Sequence, residues 1–252
     1  MGTGSRLPVT LILGANGSIG QAVVDIEKQN STVVGTYRNY DSASERLGHD
    51  INLIQHDFLE NSDTANIVSQ AREHGVINKV YFLAGESWGV KWDQCTLTDF
   101  RKSIELCALP VASLIKELEP ELVDADNFMR WAQISGISTK INTGGPNKPT
   151  TGGAKLLAEF YFQSASAYYT HRKNLFNSVV LGYSERTKNQ HIGYSNEDAN
   201  NEPLIGYQTT PQEVAKTLTW LNSDHNTYIT GANLPVDGGT SIRTKERWSK
   251  HE

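Results

Sequence analysis

Gly14, Gly17 and Gly20 are spaced so that a chain leaving a strand for a helix could lay bare backbone against an anion. In the run Gly14-Ala15-Asn16-Gly17-Ser18-Ile19-Gly20, Gly14 permits the tight turn and Gly17 lets the backbone approach a pyrophosphate. Gly20 lets the helix pack closely on the strand. Asn16, Ser18 and Ile19 complete the cradle, where the helix start offers unpaired N–H groups and the positive end of its dipole. The chemistry so encoded is dinucleotide binding; the alternative is a structural turn that binds nothing.

The next apolar run ends in Gly35-Thr36-Tyr37-Arg38. A site for NAD(H) puts Asp or Glu here to accept from the ribose 2′-hydroxyl, whereas Arg suits a 2′-phosphate. With no acid at 35–38, Tyr37 and Arg38 favour NADP(H) over NAD(H), unless Arg38 is merely a solvated charge. Asp57-Phe58 follows the third apolar run. There a carboxylate either accepts the adenine amine or caps a loop.

These residues need elements to hold them. Residues 8–13 form a short β-branched apolar run ending at a glycine, as a buried parallel strand should. A helix over 18–27, strands over 31–36 and 51–55, a polar helix over 62–74 and a strand over 79–83 follow. Residues 96–117 read as one long helix kinked by Pro110. A strand over 128–135, a helix over 152–171 and a strand over 176–181 come next. After a polar stretch, a helix over 211–221 with proline in its first turn and a strand over 229–236 close the series. Alternating strands and helices imply an α/β fold with a doubly wound parallel sheet in three α/β/α layers. No repeat or linker divides the chain, so 1–252 reads as one domain with its core at 7–240 and a tail at 241–252.

Composition excludes other classes. At 252 residues, 38% hydrophobic and 20% charged, the chain can bury a full core. A net charge of −5 argues against a nucleic-acid partner. The seven His are scattered without ligand-like spacing, so no metal is expected. Cys95 and Cys107 are too few for a disulfide framework, and no apolar run approaches the ~20 residues that cross a bilayer. A cytoplasmic protein without a membrane partner is the expectation.

With these residues in place, the chain resembles the classical short-chain dehydrogenases/reductases over about residues 8–240. Gly14–Gly20 resembles their glycine motif, with Ser18 at a frequent glycine, and Asp57 matches the adenine-contacting Asp. Leu83-Ala84-Gly85 is similar to the end of Asn-Asn-Ala-Gly. Residues 177–182 resemble the strand beside the nicotinamide, with Leu181-Gly182 in place of Pro-Gly. Most specific is the ending Tyr228-Ile-Thr-Gly-Ala-Asn-Leu-Pro-Val-Asp-Gly-Gly239. The resemblance implies a Rossmann-type fold and a nicotinamide cofactor contacted by these residues.

The same resemblance implies a Ser, Tyr, Lys and Asn centre. Lys155 matches the lysine, which holds the cofactor ribose and lowers the pKa of the Tyr. Thr151 stands where Tyr belongs, and Ser138 lies 13 residues earlier, as the serine should. Ser135 competes, because it ends the strand more naturally; Ser138 is favoured. Cys107 takes the Asn position, so the centre reads Cys107, Ser138, Thr151 and Lys155. A phenol near pKa ~10 can be tuned toward neutrality, but an alkanol cannot. Loss of a general acid slows ketone reduction by about 10²–10⁴-fold without touching cofactor binding.

A carbonyl, an imine or iminium, or an activated alkene of a specialised small molecule is therefore the expected substrate, reduced by NADPH. The alternative is a non-redox or lapsed protein on the same scaffold, a cyclase, isomerase or binding subunit. A sugar epimerase is disfavoured by the short C-terminal region. Trp88 and Trp92 would wall a sizeable substrate or else cover core or subunit contacts, and 183–208, with Tyr183, His191 and Tyr194, is the expected substrate loop. The two long helices resemble the family's subunit contact, implying a homodimer or homotetramer.

Overall fold

In the computed structural model, residues 7–39, 47, 51–85, 91–136, 139, 149–169, 173–185 and 200–242 are described. Seven parallel strands form one sheet in the order β3-β2-β1-β4-β5-β6-β7. They are β1 Val9–Leu13, β2 Thr32–Tyr37, β3 Asn52–Gln55, β4 Ile77–Phe82, β5 Arg130–Gly136, β6 Leu175–Leu181 and β7 Asn233–Val236. The order reverses between β1 and β4, which opens a crevice at the carboxyl edge, where ligands of such sheets bind.

All five residues of β1 are buried, because helices cover both faces of the sheet. Strand alternation sends Leu11 and Leu13 to one side and Ile12 to the other. On the Ile12 side pack α1 (Ser18–Glu27), through Ala22, Val23 and Val24, and α7 (Pro211–Leu221), through Val214, Ala215, Leu218 and Leu221. The other side takes α2 (Ala65–Arg72), α3 (Leu97–Cys107), α4 (Leu109–Glu117), α5 (Glu119–Val123) and α6 (Pro149–Tyr169). There Phe162 meets both Trp131 and Phe176 edge-on, with centroids 5.1 and 5.9 Å away.

Polar ties lock the floor of the sheet. Glu27, at the end of α1, accepts from Tyr81 Oη at 2.5 Å and from Lys79 Nζ at 3.0 Å. Burial and the neighbouring Glu27 charge hold the Tyr81 phenol well above its ordinary pKa.

The expected single helix over 96–117 is two. α3 ends at Cys107, Ala108 leaves helical geometry at φ −118°, and α4 restarts with Pro110 in its first turn. Proline is favoured there because the N–H it lacks would have no partner anyway. The last strand is also shorter than expected. Residues 229–232 are held by side-chain amides: Ile229 N donates to Asn226 Oδ1, and Asn177 exchanges two bonds with Ile229 O and Ala232 N.

Candidate active site

The glycine turn is held by β2. Gly14 N donates to Thr36 Oγ1 at 2.9 Å and Ala15 N to Thr36 O at 3.0 Å. Leu83 N reaches Leu13 O at 2.9 Å, so the end of β4 closes on the turn. Gly14 has φ +87°, and a Cβ there would lie 2.8 Å from Ala84 N. At Gly20 a Cβ would lie 2.3 Å from Gly14 O. Gly17 differs. It is exposed, and its Cβ would meet only Gly14 O, at 3.4 Å, so space stands open above it. Gly17 is also the N-cap of α1, with no side-chain cap. An open cradle at an uncapped helix start is what a pyrophosphate requires.

That cradle belongs to a cleft of about 290 Å³ lined by Gly14, Asn16, Gly17, Thr36, Tyr37, Arg38, Asn39, His56, Asp57, Phe58, Leu83, Ala84, Gly85 and Leu106. A second cavity of about 640 Å³ shares Arg38, Asn39, His56 and Asp57 and continues to Glu60 and Asn61. The two make one groove along the tips of β1, β2, β3 and β4. Ten residues expected from sequence line it; Ser18, Ile19, Gly20, Lys155, Leu181 and Gly182 do not. Thr36, Asn39, Gln55, His56, Glu60, Asn61 and Leu106 are additions. Thr36 alone left a signal, as a hydroxyl at a strand tip beside the glycine turn.

Asp57 caps its loop and faces the groove. Its Oδ1 accepts from Leu59 N at 2.9 Å as a loop cap, and the residue also lines the groove. His56 lies Nε2 to Asn61 O at 2.7 Å, with its ring 4.6 Å from that of Phe58. Gly182 ends β6 against β7, where a Cβ would lie 2.6 Å from Asp237 Cα.

Of the residues expected at a reaction centre, Cys107 falls on α3 and Thr151 and Lys155 on α6. Thr151 is 2% exposed, and its Oγ1 is buried without a hydrogen-bond partner among the described residues. Lys155, one turn later, is half-buried. Cys107 is buried at the end of α3 in the apolar cluster that includes Ala154 and Ala158. Ser138 lies outside the described residues, as do Trp88, His191 and Tyr194. Ser135 is 2% exposed within β5 and donates its hydroxyl to Glu159, a residue that sequence reasoning missed. Trp92 is exposed and pairs with Phe100 at 5.8 Å. Tyr183 is half-buried, and its carbonyl accepts from Thr209 N. Among the described residues no cluster of His, Cys, Asp or Glu could hold a metal, and no helix is long and apolar enough to cross a membrane.

Fold, glycine turn and ending together define a class. The chain belongs to the short-chain dehydrogenase/reductase family of oxidoreductases: residues 14–241 match the family model described as enoyl-(acyl carrier protein) reductase. It is 24% identical over 240 residues to the 3-oxoacyl-(acyl-carrier-protein) reductase FabG of Chlamydia trachomatis, covering 90% of this chain and 85% of that one. A shorter match, to xanthoxin dehydrogenase of Arabidopsis thaliana, is 42% identical over 59 residues, 23% of this chain and 21% of that protein. Among solved structures, ElxO with NADP bound superposes with a TM-score of 0.84 at 21% identity, covering 94% of this chain and all (100%) of that one.

Proposed function

We propose that the protein is an NADP(H)-dependent reductase of a carbonyl, imine or iminium, or activated alkene in a small molecule. One observation carries the reading: the open cradle at Gly17 continues into a groove that reaches Arg38, with no acid at the tip of β2. The α1 terminus would hold the pyrophosphate, Arg38 the 2′-phosphate, and Asp57 and Phe58 the adenine side. ElxO and the Chlamydia relative, a bound NADP in one and a 3-oxoacyl reductase in the other, support this direction.

When bound, the reduced nicotinamide would supply a hydride to the electrophilic carbon. Lys155 would hold the ribose through its ammonium group. Thr151 Oγ1, buried and without a hydrogen-bond partner among the described residues, would give the substrate oxygen or nitrogen a neutral hydrogen bond as charge develops there. Thr151 does not release that proton, since an alkanol is too weak an acid; the proton that completes the product comes from water or from an acidic group of the substrate. On the family resemblance Ser138 would orient the same atom, and Cys107 leaves the Asn position without an amide. Substrates already cationic at the reacting centre therefore suit the site better than simple ketones.

The apolar outer face of α6, with Leu156 and Phe160 exposed, supports a homodimer or homotetramer, which light scattering would read. A cytoplasmic location is part of the same proposal and rests on composition alone, two cysteines in 252 residues. The test of function is NADPH fluorescence titration followed by a panel of ketones, 3-oxoacyl thioesters, imines and enones, monitored for NADPH oxidation. Oxidation with at least one class is expected. Tight binding without turnover of any class would favour a non-redox protein on this scaffold.

A further inference from the structure

Glu159 is a carboxylate in the interior, 1% exposed on α6, one turn beyond Lys155 and two beyond Thr151. Burying a carboxylate is costly unless donors surround it. Its Oε1 accepts from Ser135 Oγ, within β5, and from Thr139 Oγ1 at 2.6 Å, just beyond that strand. Its Oε2 accepts from Asn233 Nδ2 of β7 at 2.7 Å. Charge-assisted bonds of this length are directional and strong. One side chain thus ties the helix bearing Thr151 and Lys155 to the end of β5, which leads to Ser138, and to the last strand.

We infer that Glu159 is a positioning residue: it sets the height and rotation of α6 against the end of β5, and so the placement of Thr151 and Lys155 relative to that strand. The inference rests on the reductase reading for its kinetic consequence, but not for its structural one. Ser135 is thereby assigned to Glu159 instead of the substrate. Asn233 supplies a further clue, because its Oδ1 is buried without a partner among the described residues. With Gln at 159, Oε1 keeps both hydroxyl donors, and a turned Asn233 amide accepts the new N–H through Oδ1. Hydrogen-bond geometry, more than charge, is what the site conserves.

The test compares Glu159→Ala and Glu159→Gln in the full chain. The readouts are steady-state NADPH oxidation with the best substrate of the panel, NADPH affinity by fluorescence, and amide exchange at β5 and Thr139. Misplacement of about 1 Å costs on the order of 10²-fold, so Glu159→Ala should lose about 30-fold or more in kcat, with NADPH affinity within about threefold. Glu159→Gln should stay within about threefold of the parent in kcat. Exchange at the end of β5 should rise about tenfold in the Ala variant, be restored in the Gln variant, and stay unchanged in α1. Should Glu159→Ala fail to fold, Thr139→Val, which removes one donor, should still lower kcat several-fold and speed the same exchange. Parental kcat and exchange in the Ala variant, or in Thr139→Val, would overturn the inference. So would a Gln variant as impaired as Ala. If the parent oxidises NADPH with no probe, the exchange pattern decides: restoration by Gln upholds the positioning role while the reductase reading falls.

Discussion

The backbone N–H of Gly14 donates to the side-chain hydroxyl of Thr36 at 2.9 Å, so the tip of β2 holds the glycine turn that follows β1. Arg38 directly follows Tyr37, the last residue of that strand, so the glycine turn and this cation sit at one strand tip.

Two glycines of that turn should respond differently to alanine. At Gly20 a methyl would meet Gly14 O at 2.3 Å and Ala15 O at 2.7 Å, both backbone atoms that cannot yield cheaply. Gly20→Ala should destabilise the fold by at least about 2 kcal/mol, read by denaturant unfolding. At Gly17, φ is −71° and the nearest atom is 3.4 Å away, so Gly17→Ala should fold normally. Its methyl occupies the phosphate's approach, and losing charge-assisted bonds of about 1.5–3 kcal/mol should weaken NADPH binding tenfold or more. A Gly17→Ala variant that binds as the parent does would show that the cradle is not used.

Thr151 should show the trade between stability and activity expected of a working hydroxyl. A buried, unpartnered hydroxyl costs about 1–3 kcal/mol, so Thr151→Val, nearly isosteric, should unfold at higher denaturant by about 1 kcal/mol. Turnover of the best substrate should fall at least about tenfold, since the oxyanion donor is lost. Unchanged turnover would make Thr151 a bystander.

Much of this was legible in the sequence, where short-range patterns decide the outcome. The helix Pro211–Leu221 carries its own signals, proline in the first turn and a Thr210/Glu213 capping box, and its bounds match those read from sequence. The glycine turn, Arg38 and Asp57 were readable because they sit at strand ends fixed by those patterns. The break at Ala108 was not, because Pro110 serves equally to kink a helix or to start one. Glu159 left only the weak signal of an acid among Ala158 and Phe162, because its partners Ser135, Thr139 and Asn233 lie 24, 20 and 74 residues away in the chain. Pairings of that kind appear only once the sheet has formed.

Alkaline stability should report on Tyr169. Its phenol, which donates to Glu119 Oε1 at 3.1 Å, is pushed up to about 12, first by burial and then by Glu119. The folded value lies above the unfolded value of ~10, so its contribution is complete below pH ~10 and lost as pH rises through about 12. Thermal melts from pH 9 to 12 should therefore show a steeper decline for the parent than for Tyr169→Phe. Parallel curves would contradict the assignment.

The most direct measurement is a parallel fluorescence titration of the purified protein and Arg38→Ala with NADPH and NADH. The parent should bind NADPH tighter than NADH by about tenfold or more, since an Arg–phosphate contact contributes about 1.5–3 kcal/mol, and the variant should bind both about equally. No binding of either dinucleotide by the parent, or equal binding of both, would contradict the account.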